Sequence, residues 1–381
     1  MSGHTRADIP SYDVISDWAD LSAVPGADSC WVHNGIVATG GAELIGFHGG
    51  RLVAWDIDGS MRRVVETGLT EGHGITLVRE GDDEYLWVAD PGFVFVCGAD
   101  GADPAWTPLF GAGVGPLFQA PRVVKMSLDG QIHSELPLPP TDPGLPAGPM
   151  GSYCPCSVAV DEQRFGGSGD VWVADGYGSS VLHRFDRNGN HLLTLTGDEG
   201  GGRLACPHAG FIDRRNGKTP ELYIADRLNT RVVVYDLEGR YLRSLGEGFL
   251  SSPSGFAVWG DLLVVTELHG RLAVLDAEDN FVGYIGAAPN TPAVQGWPQR
   301  PGWPNDLDAD GRATAPHPPR HERFNSPHSV ATDAEGNLYV SEWLIGGRYT
   351  KLAPRRAAHR WRCGRLRHDE ENHGFRSLPS E

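Results

Sequence analysis

The chain has 381 residues and a formal net charge of −17, which excludes a phosphate-backbone partner, because nucleic-acid binding needs a basic face. No run approaches the roughly 18 apolar residues of a membrane span. The polar N-terminus lacks the basic-then-apolar layout of a secretory leader, and six cysteines in a chain this long make no disulfide framework, so reduced thiols and a cytoplasmic location are expected.

Five segments repeat one layout of four short apolar strands, and a sixth is a looser copy. In chain order, SYDVISDW (11–18) reads as a strand without a local partner. The first repeat runs through IVATGG, ELIGFH and GRLVAWDIDGSMRRVVETG (36–68). The second runs through HGITLV, YLWVAD and RVVKMSLDG (73–130), and the third through CSVAVD, DVWVADGYG and VLHRFDRNGNHLLTLTG (156–197). HAGFID, ELYIADR and RVVVYDLEGRYLRSLG (208–246) form the fourth; SGFAV, LLVVTE and RLAVLDAEDNFVGYIG (254–286) form the fifth. The last, HSVATDAEGNLYVSEW and RYTKLA (328–353), stops after three strands. Strands of five to eight residues rich in Val, Leu, Ile, Tyr and Trp, joined by Asp-x-x-Gly turns, build a four-stranded antiparallel blade. The expectation is therefore an all-β, six-bladed β-propeller over residues 1–353, with the N-terminal strand completing the last blade and removing its open edge.

Insertions at 91–121, 139–153 and 287–325 lack periodicity and read as lids or binding loops. The tail 354–381 carries six Arg between Arg355 and Arg367 and reads as a basic, disordered extension. The acids that end second strands, Asp90, Asp175, Asp226, Glu267 and Glu342, read as braces for turns.

Alignment on the innermost strands gives the clearest functional signal. The first residue is His73 in repeat two, His208 in repeat four and His328 in repeat six, against Cys156 and Ser254 in repeats three and five. Alternate blades of six stand about 120° apart, so three imidazoles at one height converge on the axis. That is the open three-ligand site of a catalytic zinc, and imidazoles suit Fe, Co and Ni as well. Cys156 shares the register, either as a fourth ligand or as a buried thiol.

The motifs PHAGFID…LYIADRLNTRV and CSVAVD…VWVADGYGSSVLHRF resemble NHL repeats, and more narrowly those of peptidyl-α-hydroxyglycine α-amidating lyase. The resemblance covers about residues 50–350. It implies a six-bladed propeller with zinc on three histidines, a structural calcium, a catalytic tyrosine at Tyr177 and a substrate-facing arginine at Arg227. Two departures stand out: the family's first-blade arginine has no clear counterpart among Glu43, His48 and Arg51, and Ser329 replaces the acid after the third histidine, which weakens the calcium site. The expected function is a metal-dependent lyase acting on a carbinolamide or related hydroxylated carbon in a small molecule or peptide. The alternatives are a protein-binding propeller scaffold and a metal-dependent esterase or lactonase.

Overall fold

The computed structural model describes residues 8–28, 31–97, 105–286, 302–316 and 323–355. Six four-stranded antiparallel sheets form the body of the fold. Blade one comprises Ile36–Ala38, Glu43–His48, Arg51–Asp56 and Met61–Glu66. Blade two comprises Gly74–Glu80, Asp83–Asp90, Arg122–Ser127 and Ile132–Glu135. Blade three has Ser157–Val160, Val171–Asp175, Val181–Phe185 and His191–Leu195. Blade four has Pro207–Asp213, Glu221–Asp226, Arg231–Tyr235 and Tyr241–Leu245. Blade five has Pro253–Trp259, Leu262–Glu267, Arg271–Leu275 and Phe281–Ile285.

Blade six takes Pro327–Thr332, Leu338–Glu342 and Arg348–Pro354 from the end of the chain and its outer strand, Tyr12–Ile15, from the beginning. Val14 lies opposite Leu352 and Ile15 opposite Lys351, as the unpartnered N-terminal strand leads one to expect. Innermost strands of successive blades pack side by side, and that of blade six meets that of blade one, so the ring closes.

Each blade holds its neighbours through period-two alternation. In Glu221–Asp226, Leu222 and Ile224 join a cluster with Trp172 and Leu182 of blade three, while Tyr223 joins Leu263 and Val265 of blade five. Both strand faces are therefore buried, and truncating Ile224 to Ala is expected to cost about 2–5 kcal/mol. Four further clusters repeat this arrangement at the other blade interfaces. The outer hairpins turn on the anticipated Asp-x-x-Gly: Asp186 accepts the Gly189 amide on its carbonyl and those of Asn188 and Asn190 on its carboxylate, with Gly189 at φ +85°.

The second-strand acids do more than brace turns. Each pins the segment that enters its own blade's innermost strand. Asp90 accepts the amides of Thr70 and Glu71, Asp175 that of Cys154, and Asp226 that of Ala205. Glu267 and Glu342 hold Ser252 and Ser326 in the same way. The first residue of the inner strand is thus set at one height in these five blades.

The insertions carry short elements of their own. Phe93–Cys97 pairs with Val114–Phe118 and Asp306–Leu307 with Ala313–Thr314, and outside the insertions Trp31–Val32 pairs with Leu344–Ile345. Trp31, Phe93, Phe95, Trp343 and Ile345 form one apolar cluster there, with Trp106, Phe110, Tyr177 and Trp303 packed against it. The basic tail beyond Arg355 lies outside the described residues. No helix among the described residues is long and apolar enough to cross a membrane.

Candidate metal centre and active site

His73, His208 and His328 meet at the axis, at the end of the channel where the inner strands begin. All three are buried. Each imidazole donates through Nδ1 to a backbone carbonyl contributed by the next repeat in the ring: His73 to Cys156 at 2.6 Å, His208 to Ser254 at 2.8 Å and His328 to Asn34 at 2.9 Å. A carbonyl only accepts, so Nδ1 carries the proton and Nε2 presents a bare lone pair inward. The arrangement depends on close blade contact. A Cβ at Gly74 would stand 2.2 Å from the Cys156 carbonyl oxygen.

A fourth histidine, His33, joins them. The four ligand atoms lie within 4.8 Å of one another. His33 Nε2 is 3.1 Å from His73 Nε2, and His208 Nε2 is 3.2 Å from His328 Nε2. The second pair opposes two lone pairs, which cannot hydrogen-bond to each other and repel without a cation between them. Ligands about 2.0–2.1 Å from a tetrahedral zinc stand roughly 3.3 Å apart, so this donor set fits a divalent metal. Burial drives the pKa of all four imidazoles down, that of His73 to about 3, keeping them in the neutral, metal-binding form.

The other two residues singled out in the sequence stand inside this cage. The Tyr177 hydroxyl is 3.0 Å from both His33 Nε2 and His208 Nε2 and 3.3 Å from His73 Nε2. Arg227, buried directly after the second strand of blade four, donates from one NH group to the Tyr177 hydroxyl at 3.3 Å and from the other to Ser254 Oγ at 3.1 Å. Its Nε has no partner, and no carboxylate of the described residues pairs with it. Burial raises the Tyr177 pKa well above the usual phenol value, and the Arg227 guanidinium pulls the other way.

Cys156 contributes its carbonyl. Its Sγ turns toward the Cys154 carbonyl and lies outside the ligand group. Glu43, His48 and Arg51 are all engaged elsewhere: Glu43 pairs with Arg63, His48 meets the Ala27 carbonyl and Arg51 pairs with Glu66. The place nearest blade one belongs instead to His33, in WVHNG just upstream of that blade's first strand. It stands upstream of Ile36, outside the first repeat as the sequence marks it. A search for His within three residues of each inner strand would have found it.

Beyond the cage the channel opens as a cavity of about 370 Å³. It is lined by Ile36, Ile75, Phe211, Phe256, Val330 and their neighbours, with no Asp or Glu among them. Ser329 directs Oγ toward the Ile36 amide at 3.4 Å. No carboxylate donor for calcium stands there among the described residues.

No family model matches the chain, and none of the curated proteins matches it in sequence. Solved structures do share the fold. A streptogramin B lyase is 11% identical, with a TM-score of 0.50 over 90% of this chain and 98% of that one. A structural-genomics protein of unknown function from Bacteroides thetaiotaomicron is 15% identical, with a TM-score of 0.56 over 91% and 76%. At such identities the likeness establishes the six-bladed propeller and leaves the chemistry to the site.

Proposed function

We propose that this propeller is a metal-dependent lyase that breaks a bond at a hydroxylated carbon, of which a carbinolamide bearing an anionic group is the best-fitting class. The observation that carries the reading is the convergence of three Nε2 lone pairs on a point shared with the Tyr177 hydroxyl and a buried guanidinium lacking an acid partner. A cation held by His73, His208 and His328 would polarise a substrate hydroxyl and lower the pKa of groups beside it. Zinc is the metal we favour, and the same nitrogens suit Fe, Co or Ni.

Tyr177, as the phenolate that Arg227 and a bound cation would favour, would take the hydroxyl proton. The O–H electrons become the new C=O, the C–N bond breaks, and the departing nitrogen takes a proton. An amide and an aldehyde or keto acid result, with no oxidant consumed. Arg227 would orient the anionic group, since a guanidinium offers a bidentate fork and a buried one without a counter-ion is otherwise costly. The NHL and amidating-lyase likeness of the motifs supports this reading, and a lyase occurs among proteins of the same fold. A calcium-dependent lactonase is disfavoured by a cavity with no carboxylate among the described residues that line it, and a protein-binding scaffold has no use for a closed histidine cage.

The test is direct. The chain, purified without chelator or a nickel column, is analysed for metals and offered α-hydroxyglycine derivatives and small carbinolamides. About one divalent ion per chain with release of amide is expected. Failure to take up any divalent ion would sink the proposal.

A further inference from the structure

We infer that His33 is a fourth imidazole ligand of the centre and that Glu71 is its positioning residue, an inference that rests on the metal-binding reading above. His33 points Nε2 into the cage, 3.1 Å from His73 Nε2, with its ring 4.5 Å from that of His328. The opposite nitrogen, Nδ1, faces the Glu71 carboxylate at 3.4 Å and has no hydrogen-bond partner. Neither carboxylate oxygen of Glu71 has one either, although the residue is only 1% exposed.

A buried carboxyl group without a hydrogen-bond partner is expensive, and its ionised form needs a compensating charge. Asp90, beside it, is already engaged by the amides of Thr70, Glu71 and Gly92. The cationic side chain at the cage, Arg227, reaches toward Tyr177 and Ser254 instead. A divalent ion on His33 Nε2 resolves both deficits, because Nδ1–H then donates to Glu71 and the carboxylate offsets part of the ion's charge. This is the carboxylate–histidine–metal relay by which an outer acid fixes a ligand's tautomer.

His33 differs from its three companions in one respect that matters for function. Their Nδ1 groups are held by backbone carbonyls, whereas that of His33 faces a side chain, Glu71, on the loop that also carries His73. Its orientation is therefore the one in the set that substitution can change without moving the ring of blades.

Imidazole count and affinity test the inference. Co(II) or Zn(II) is loaded into the full chain and into the His33→Ala, Glu71→Gln and Glu71→Asp variants, then followed by X-ray absorption, Co(II) visible spectra and chelator competition. Four imidazoles are expected in the parent and three in His33→Ala. Glu71→Gln should keep four, shift the Co(II) bands and weaken binding by about 10–100-fold, with Glu71→Asp recovering part of the loss. The count is read on the unaltered chain, so it stands even where a variant fails to fold. Three imidazoles in the parent, with affinity indifferent to His33→Ala, would overturn the inference and leave the three-histidine centre intact. A parent that binds no divalent ion would overturn both.

Discussion

Blades two, four and six open their inner strands on a histidine side chain, whereas the entries to blades three, five and one supply the backbone carbonyl that orients it, and His33, beside Asn34, adds a fourth Nε2 to the cage. The two sets occupy the same height, pinned on five of the six blades by an acid that ends the second strand. Their division of labour is strict: His73, His208 and His328 present Nε2, while Cys156, Ser254 and Asn34 accept Nδ1–H and fix which nitrogen is bare. A propeller thereby builds an oriented ligand set from two alternating kinds of blade. What a substitution does should depend on which kind it strikes.

The largest effect is expected on the side-chain set. His208→Ala removes a lone pair that no neighbour can replace, and elemental analysis should show the ion lost from a protein whose far-UV spectrum is unchanged. Retention of a full equivalent of metal would mean that even-blade histidines are not the ligands. Next comes Tyr177, whose hydroxyl touches three cage histidines and Arg227. Tyr177→Phe should lower kcat by roughly 10²–10⁴, the range for a lost proton-transfer group, with the metal still bound. Parent-like turnover of an identified substrate would remove Tyr177 from the mechanism. Arg227→Ala should act mainly through KM for an anionic substrate and little for a neutral analogue, if the guanidinium holds ground and transition states alike. Equal losses for both analogues would instead make Arg227 a support for Tyr177 and Ser254.

The same contrast explains what could be seen without coordinates. Strand alternation and Asp-x-x-Gly turns are local, so all six blades and the closing strand Tyr12–Ile15 were legible in the sequence. The three even-blade histidines were legible because each stands at the start of its strand. His33 was not: it lies three residues before Ile36, and blade one ends its second strand in His48 where the other five have an acid, so the alignment lacked its anchor. The carbonyl donors were invisible for a different reason, since a backbone group has no letter. The aromatic cap built by Trp31, Phe93 and Trp343 joins segments some 300 residues apart, and nothing periodic announces it.

The smallest effect should come from the carbonyl set, and it is the sharper test of the comparison because the residue type invites the opposite expectation. Cys156 stands in register with the histidines, is fully buried, and carries a thiol, a good zinc ligand. Its Sγ nevertheless faces the Cys154 carbonyl, and burial raises its pKa well above the usual thiol value. A thiol held in that form does not compete for the metal, and what His73 needs from this position is the carbonyl, which every residue supplies. Cys156→Ala should therefore leave metal content and affinity unchanged and cost about 1–2 kcal/mol of stability from the lost packing. Its signature is a lowered midpoint of thermal unfolding with kcat preserved. Loss of metal in this variant, with the ring still folded, would show that the Cys156 side chain takes part in the centre and that its carbonyl is not all that His73 needs from this position.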